Sequence, residues 1–342
     1  MTYGLTRLLR TEDDWSDLLC LLAELDPEPL RSALLLAPGR ITVWREVSVK
    51  AGRGPAGRAD VIVLLDDIER AVMEVKLGAG AHGDQFAAYD VWADSKDIPV
   101  SARYLVGPNA DPIPNEPRHW SRQLTVAGLL ASWNRSPDDF ARLLSVRALQ
   151  QFTQLEAEAT GPASQASIAL SDALRLRRLA SMTQAAAPPG TIFEPKQRSE
   201  AGAANICAWR KTADGYVVAE IQRLNPRSPR GGTGTPFEIR IMVGIPGATP
   251  GADGELADQY RSWLARRSFV QYAGPTVQAM VTAPEDDGFK TQKSGGKGHP
   301  RYYGYKGGGQ GSSAVLQSTV DLNDMVTAFS AALQYLTTYP EQ

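Results

Sequence analysis

The sequence predicts an α/β protein, and three features of the first third of the chain carry that prediction. An amphipathic segment with helical spacing opens the chain, three short strand-like runs follow it, and a further helix and strand complete the series. The chain has 342 residues, of which 43% are apolar and 22% charged. This length predicts roughly two domains, and this composition excludes wholesale disorder.

The first helical segment is expected over residues 11–36. Thr11 followed by Asp14 is typical of a capping box, and acidic residues crowd the first turn, where they favour a helix N-terminus. A proline inside a helix breaks or kinks it, so Pro27 and Pro29 predict that the segment forms two helical pieces.

Three strands are expected next. Residues 41–49 alternate between apolar and polar side chains, whereas residues 59–65 and 71–75 are apolar and rich in β-branched residues. Asp66 and Asp67 separate the last two runs and predict a tight turn between paired strands.

A helix over residues 82–93 and a strand over 101–106 complete the predicted core. Helix, three strands, helix and strand is the order of a small α/β domain. More helices and a second, α+β domain are expected after it. The helices are predicted at 125–133, 137–159 and 167–181, the later strands at 205–211, 216–223, 237–244 and near Val277 and Ala314, and the last helices at 253–266 and 323–338. The predicted domains are 1–135, a helical connector at 136–190, and 191–342.

Several features of the sequence bear on the cellular compartment of the protein. The N-terminus lacks the apolar run of a signal peptide, and no stretch reaches the roughly 18–20 apolar residues of a membrane span. Cys20 and Cys207 lie far apart in apolar patterns and are predicted to be buried free thiols. These features favour a protein of the reducing cytoplasm. The chain also lacks a Walker-type phosphate loop, a zinc-ligand spacing and a serine-hydrolase elbow.

The residues with the clearest chemistry are Asp60 and Glu74, on neighbouring predicted strands, and Lys76. If the two strands pair as a hairpin, the carboxylates converge on one point, and oxygen ligands of this kind suit Mg²⁺ or Mn²⁺. Glu74 and Lys76 are two apart on a strand, so their side chains share a face. Lys76 could then orient an attacking water or stabilise developing charge, and the Val75 carbonyl is a further candidate ligand. Charged residues at strand ends also occur for structural reasons, so the triplet alone leaves both interpretations open.

The segment that follows Lys76 favours a metal site over a purely structural role for the triplet. Glu74-x-Lys76, a short Gly/Ala loop and then Gln85-x-x-x-Tyr89 resembles the PD-(D/E)xK nuclease superfamily, in its bacterial stand-alone branch. The likeness covers about residues 10–106, and Ala59 stands where the family name has proline. It implies a restriction-endonuclease-like core, a mixed four-stranded sheet flanked by helices.

The resemblance also implies an activity: Mg²⁺-dependent (or Mn²⁺-dependent) hydrolysis of phosphodiester bonds by a DNA endonuclease, in the manner of restriction or phage-defence enzymes. Gln85 would help to position the site or the phosphate, and Tyr89 would support it; the alternative for Tyr89 is ordinary helix–sheet packing. Many superfamily members dimerise to cut both strands, so a homodimer is expected, with residues 137–181 as a candidate interface.

A further acidic residue is expected at the site. Glu12 in the first helix is favoured as a catalytic glutamate, and Glu46 as a group that supports the metal ligands. Either could instead ligate the metal, and solvated surface charge is the alternative for both.

Two basic segments of the second domain are candidates for nucleic-acid contact. Residues 288–313 interleave cations with aromatic residues and contain no acid, and cations contact phosphates while aromatic rings stack on bases. A solvated loop is the alternative. The candidate residues are Lys290, Lys293, Lys297, Arg301 and Tyr303, with Arg227 and Arg230 in the second segment.

Two functions from different classes therefore remain. The first is a metal-dependent DNA endonuclease whose C-terminal domain recognises substrate or regulates cleavage. The second is a protein that binds or senses nucleic acid or a nucleotide, keeps a nuclease-like fold, and cleaves conditionally or not at all. The intact set Asp60, Glu74 and Lys76 favours the first, because a decayed site would be expected to lose one of them.

Overall fold

The structure is a computed structural model, and it forms two compact units. The first comprises residues 1–157 and 168–174, and the second comprises 158–167 and 175–342. The residues that the structure describes are 8–50, 56–78, 85–109, 116–162, 169–196, 205–212, 216–223, 237–245, 262–263, 266–267, 269–282, 301–302 and 312–339.

The first unit is built on a mixed four-stranded sheet. Its strands are β1 (Ile41–Lys50), β2 (Ala56–Leu65), β3 (Ile68–Val75) and β4 (Arg103–Val106), in the spatial order β1-β2-β3-β4. The first three strands pair antiparallel, whereas β4 runs parallel to β3. A parallel neighbour needs a crossover connection, and a helix supplies it here. The prediction of an α/β unit with a mixed four-stranded sheet is confirmed.

Five helices accompany this sheet within the described residues. They are α1 (Glu12–Leu25), α2 (Glu28–Ala33), α3 (Gln85–Ser95), α4 (Val126–Ser132) and α5 (Asp139–Thr160), with short 3₁₀ turns at Val100–Ala102 and Trp133–Arg135. The predicted capping box is present, because the Thr11 side chain accepts from the N–H of Asp14 and the Asp14 carboxylate accepts from the N–H of Thr11. The predicted break between α1 and α2 falls at Asp26 and Pro27.

The turn between β2 and β3 is also as predicted. Asp66 and Asp67 have φ angles of 52° and 66°, a conformation that aspartate adopts more readily than most residues. Asp66 Oδ1 accepts a hydrogen bond of 2.9 Å from the N–H of Arg40, the residue just before β1. The turn therefore fixes the hairpin that brings the two predicted metal ligands together.

The core of the first unit lies between the sheet and α3. Buried residues of β2, β3 and β4 pack against Phe86, Tyr89 and Trp92 of α3. Trp120 joins them, with its ring centroid 4.9 Å from that of Phe86 in an edge-on arrangement. Helix α1 packs on the same sheet through contacts with β1, β2 and β3. Tight packing on the sheet gives the residues at the N-termini of α1 and α3 fixed positions.

The second unit contains a sheet of six strands in the described residues, and all its strand pairs are antiparallel. They are β5 (Ile192–Lys196), β6 (Asn205–Lys211), β7 (Tyr216–Arg223), β8 (Phe237–Ile245), β9 (Arg301–Tyr302) and β10 (Ser312–Val315). The order is β10-β8-β7-β6-β5, and β9 also pairs with β8. The helices are α6 (Ala169–Gln184), whose first residues belong to the first unit, α7 (Phe269–Ala273), α8 (Pro275–Met280) and α9 (Leu322–Tyr335), followed by a 3₁₀ turn at Leu336–Thr338.

Two predictions for the second unit were wrong or incomplete. Val277 lies in helix α8, not in a strand, because Gly274 with φ 83° and Pro275 at the first turn start a helix there; an isolated bridge forms instead between Val281 and Leu316. Strand β5 was not predicted, since it contains Pro195, which is typical of an edge strand. Most of the helix expected over residues 253–266 lies outside the described residues.

Both cysteines are buried thiols outside any disulfide, as predicted. Burial raises the pKa of the Cys20 thiol to about 12. No helix in the described part of the chain has both the length and the apolar character needed to cross a lipid bilayer.

Candidate active site

Strands β2 and β3 bring the two predicted metal ligands side by side. Val61 is opposite Met73 in the register, so Asp60 and Glu74 are cross-strand neighbours. The N–H of Val75 donates to Asp60 Oδ2 at 2.8 Å, and the N–H of Asp60 lies 3.4 Å from Glu74 Oε2. The two carboxylates and the Val75 peptide therefore form one cluster; the role of the Val75 carbonyl as a metal ligand stays a prediction.

Lys76 follows β3 directly and completes the predicted triplet. Its backbone N–H donates to the carbonyl of Val106 in β4 at 3.0 Å, which fixes the peptide. Its ammonium nitrogen Nζ lies 2.7 Å from Glu74 Oε1, and both side chains are buried. A charge-assisted contact shielded from water is stronger than one at the surface.

Glu12, the first residue of α1, reaches the same cluster from the other side. Its Oε1 accepts hydrogen bonds from the backbone N–H groups of Leu77 at 2.7 Å and Gly78 at 2.8 Å. Its Oε2 lies 3.9 Å from Lys76 Nζ. Helix α1 thus supplies a third carboxylate, the residue that the sequence favoured as a catalytic glutamate.

The first turns of α3 hold Glu74 from a third direction. Gln85 Nε2 donates to Glu74 Oε1 at 2.8 Å and contacts the Tyr89 hydroxyl at 2.5 Å. The Tyr89 hydroxyl donates to the carbonyl of Arg58 in β2. Gln85 therefore contacts a candidate ligand, and Tyr89 fixes Gln85 to the sheet besides packing in the core.

Two glycines allow these close approaches, and the sequence did not single them out. A Cβ atom at Gly57 would lie 2.6 Å from Tyr89 Cε1, and a Cβ atom at Gly78 would lie 2.2 Å from Ala173 Cβ. Both distances are too short for real atoms. The glycine just after the Glu-x-Lys segment was a usable signal, since glycine often marks a point where two backbones meet.

Burial and the crowding of negative charge control protonation at the site. Burial, reinforced by the charge of Glu74, raises the pKa of Asp60 to about 7. Burial also raises the pKa of Glu74. Burial alone would lower the pKa of Lys76, but Glu74, Glu12 and Asp60 outweigh it and raise that pKa above its usual range. Lys76 is therefore a permanent cation, whereas the two carboxylates compete for ionisation.

The donor set fits a hard divalent cation. Asp60 and Glu74 offer carboxylate oxygens in a buried place where negative groups outnumber the Lys76 cation, and a divalent ion would restore the balance. Among the described residues, no group of three or more His, Cys, Asp or Glu side chains is arranged to hold a metal ion by itself. The candidate ligand set is therefore Asp60 and Glu74 with backbone or water oxygens, a mixture that suits Mg²⁺.

Glu46 does not join the cluster through any contact of the described residues. Its carboxylate forms ion pairs with Arg58 and, at 3.3 Å, with Arg45 Nη1. Its φ angle is 51°, a left-handed conformation inside a β-strand. The structure thus favours Glu12 over Glu46 as the third acidic group, because the carboxylate of Glu12 contacts the cluster whereas that of Glu46 pairs with two arginines.

The candidate nucleic-acid-binding residues of the second unit can be located only in part. Arg301 lies in β9, where it pairs with Ile245 of β8. The remaining six lie outside the described residues, so their predicted contact with nucleic acid stays a prediction. They are Lys290, Lys293, Lys297, Tyr303, Arg227 and Arg230.

Comparison of the chain with protein-family models, with curated proteins and with solved structures found no match.

Proposed function

We propose that this protein is a metal-dependent nuclease with a restriction-endonuclease-like core in its first unit, and that it hydrolyses phosphodiester bonds in DNA. The observation that carries the proposal is the convergence of Asp60, Glu74 and Lys76, two carboxylates and a cation from adjoining positions of one sheet. The contacts of Glu12 and Gln85 with the same cluster support it.

Asp60 and Glu74 would hold Mg²⁺ or Mn²⁺. When bound, such an ion lowers the pKa of a coordinated water and neutralises negative charge on the phosphate. The buried position of both carboxylates supports this assignment, since an unscreened negative cluster attracts a divalent cation strongly.

The remaining residues have separate tasks. Lys76 stays protonated and places a positive charge beside Glu74, where it can stabilise the negative charge that develops on the phosphate or orient the attacking water. Glu12 fixes the peptide after Lys76 through two backbone hydrogen bonds. Gln85 holds the Glu74 carboxylate in one orientation, and Tyr89 holds Gln85, as groups behind metal ligands commonly do.

Plasmid cleavage in Mg²⁺ or Mn²⁺ tests the proposal. We expect the wild type to cut, and Asp60→Ala and Lys76→Ala to lose about 100-fold or more of the rate. Asp67→Asn and Lys96→Ala are matched controls. The first alters an exposed carboxylate, and the second alters an ammonium that pairs with Glu69 outside the cluster. A wild type inert on DNA and RNA across both metals, or active-site variants that cut at the control rate, would refute the nuclease.

Metal titration separates the nuclease from a sensor that keeps only the fold. We expect calorimetry to detect Mn²⁺ binding to the wild type that is lost in Asp60→Asn and in Glu74→Gln. Binding that persists in both variants would place the metal elsewhere in the chain.

The biological setting rests on the resemblance. We propose a role in restriction or phage defence and a homodimer that cuts both strands. Sedimentation of the protein with and without duplex DNA measures the oligomeric state directly; a species that stays monomeric under both conditions contradicts the dimer.

A further inference from the structure

Arg58 is an exposed cation beside the candidate active site. It lies in β2 two residues before Asp60, so the Cα atoms of the two residues are about 7 Å apart. Its side chain is 65% exposed, and its backbone carbonyl receives the Tyr89 hydroxyl. The Tyr89 hydroxyl thus contacts both Gln85 and the backbone of Arg58. The guanidinium of Arg58 is exposed to solvent.

A strained residue holds this guanidinium. Glu46 lies across from Asp60 in the register, between the pairs Arg45–Val61 and Val47–Ala59. Its φ of 51° is uncommon for a non-glycine residue, and such backbone outliers cluster at functional sites. In this conformation the carboxylate of Glu46 forms an ion pair with Arg58.

The carboxylate of Glu46 pairs with two arginines, one bound to helix α1 and the other exposed to solvent. Arg45 is 26% exposed and is anchored to α1 by its ion pair with Asp17 and by a hydrogen bond of 3.2 Å from Nη2 to the carbonyl of Asp13. Arg58 has Glu46 as its ion-pair partner in the described part of the chain. If Arg58 moved away, Glu46 would keep Arg45 at 3.3 Å. The ion pairs of Arg45 with Glu46 and Asp17 therefore remain when Arg58 leaves.

We propose that Arg58 contacts a phosphate of the substrate backbone next to the scissile bond, and that Glu46 holds Arg58 in place until the phosphate replaces it. A guanidinium binds phosphate through paired N–H groups in the same way that it binds a carboxylate, so the exchange conserves the contacts of Arg58. The substrate class, a nucleic-acid backbone, rests on the proposed nuclease function.

The exchange also gives Glu46 a task. A free cation beside two carboxylates would be drawn towards Asp60 and Glu74, where it would compete with a metal ion. The ion pair with Glu46 keeps the Arg58 guanidinium away from these two carboxylates instead. We therefore assign Glu46 as a positioning residue for Arg58, in place of the role beside the metal that the sequence suggested.

Binding measured without metal tests this assignment apart from catalysis. The full chain is titrated with a short fluorescein-labelled DNA duplex in EDTA at several salt concentrations. We expect Arg58→Ala to bind more weakly and to lower the slope of log K against log salt by about one, as the loss of one phosphate contact does. Arg58→Lys keeps the charge, so it should retain the wild-type slope.

Arg40 provides the matched control. It is 67% exposed and pairs with Asp67 at the β2–β3 turn, in the same sheet. Arg40→Ala removes an equivalent charge and an equivalent ion pair, and we expect it to keep the wild-type slope and affinity. If Arg58→Ala behaves like Arg40→Ala, or if both lower the slope equally, Arg58 makes no specific contact and the proposal is overturned.

Two variants at position 46 test the hold on Arg58. Glu46→Gln removes the charge and keeps the side-chain size, whereas Glu46→Gly also removes the strained conformation. We expect both to tighten DNA binding several-fold, because Arg58 no longer exchanges partners. Unchanged or weaker binding in both, with folding verified by circular dichroism, overturns the role of Glu46. Wild-type cleavage in Mg²⁺ tests the nuclease itself, so a cutting wild type with an unaltered Arg58→Ala refutes this inference alone.

Discussion

Glu74 and Lys76 form a buried ion pair, with 2.7 Å between Oε1 and Nζ, at the end of the third strand of a mixed sheet. Removing two charges from water is costly, and a pair of this kind often contributes little to stability. Gln85 and Glu12 add hydrogen bonds around the pair, which fix its geometry. Charged groups held in this way are frequent at functional sites, and the proposed nuclease gives this pair a task.

The first prediction concerns Asp60, whose carboxylate is unfavourable in the protein without metal. Burial and the charge of Glu74 raise its pKa to about 7. We expect Asp60→Asn to abolish cleavage and yet, in EDTA at neutral pH, to raise the free energy of unfolding by about 1–3 kcal/mol, since each pKa unit corresponds to about 1.4 kcal/mol. Urea unfolding measures it.

The pH dependence of this effect has a defined sign. A carboxyl whose pKa is higher in the folded state than in the unfolded state binds its proton more tightly when folded, so the wild type loses stability as pH rises from about 4 towards 7. Asp60→Asn lacks that loss, and its advantage should be small near pH 4 and largest above pH 7. Asp67→Asn at the exposed turn is the control. An advantage of Asp60→Asn that does not grow with pH contradicts the prediction.

The second prediction concerns Tyr89. Removing its hydroxyl frees Gln85 on one side and leaves the carbonyl of Arg58 without this donor. We expect Tyr89→Phe to lower the cleavage rate about 10- to 100-fold, as loss of groups behind metal ligands commonly does. Tyr104→Phe is the control, because among the described residues that hydroxyl makes one long contact, of 3.4 Å, with the carbonyl of Leu34. Equal rates for the two variants would show that Tyr89 acts by packing alone.

The third prediction concerns Gly78. An added Cβ would lie 2.2 Å from Ala173 Cβ and 2.8 Å from its carbonyl carbon, so backbone must move. We expect Gly78→Ala to cost about 1–3 kcal/mol of stability. It should also slow cleavage, because the N–H of Gly78 holds Glu12. Gly128→Ala in α4 is the control, since the contact of its Cβ among the described residues would be with Thr125 Oγ1 at 3.1 Å. A Gly78→Ala protein as stable and active as the control would contradict the close packing.

Local chemistry explains which features the sequence predicted. The capping box of Thr11 and Asp14 and the tight turn at Asp66 and Asp67 depend on residues close in the chain, and both are present. An irregularity between Val63 and Leu64 shifts the register of β2 and β3 by one residue, so that Asp60 lies opposite Glu74 and not opposite Met73. The hairpin could therefore be predicted from two short segments and the turn between them, whereas the exact cross-strand pair depends on this irregularity.

The choice between Glu12 and Glu46 could not be made from local patterns. Glu12 reaches the site only because α1 packs on the sheet and places its first residue beside Leu77, a contact between residues far apart in the chain. Glu46 pairs with Arg58 and Arg45 instead, and its backbone has a positive φ that a glutamate does not signal in advance. Both causes are tertiary, so the sequence kept both residues as candidates.

The fourth prediction concerns Asp90, which joins α3 to the segment after β4. Its Oδ1 accepts from Arg103 Nη1 at 2.8 Å and from Trp120 Nε1 at 3.0 Å, and its Oδ2 lies 2.9 Å from His119 Nε2. Burial acts to raise the pKa of Asp90, but the hydrogen bonds from Arg103, Trp120 and His119 outweigh it and lower that pKa below its usual value. We expect Asp90→Asn to cost about 1–3 kcal/mol, the usual loss for hydrogen bonds to a charged group.

The sign of the pH effect at Asp90 is opposite to that at Asp60. A carboxyl with a lowered folded pKa contributes stability above its unfolded pKa, near 4, and that contribution is lost as pH falls through the folded value. The stability gap between wild type and Asp90→Asn should therefore be constant at neutral pH and shrink below pH 4. Asp97→Asn, at an exposed position after α3, should show no such gap. A gap that widens on acidification would mean that Asp90 is protonated in the folded protein, and that Arg103 is held by Asp94 and the Ile98 carbonyl instead.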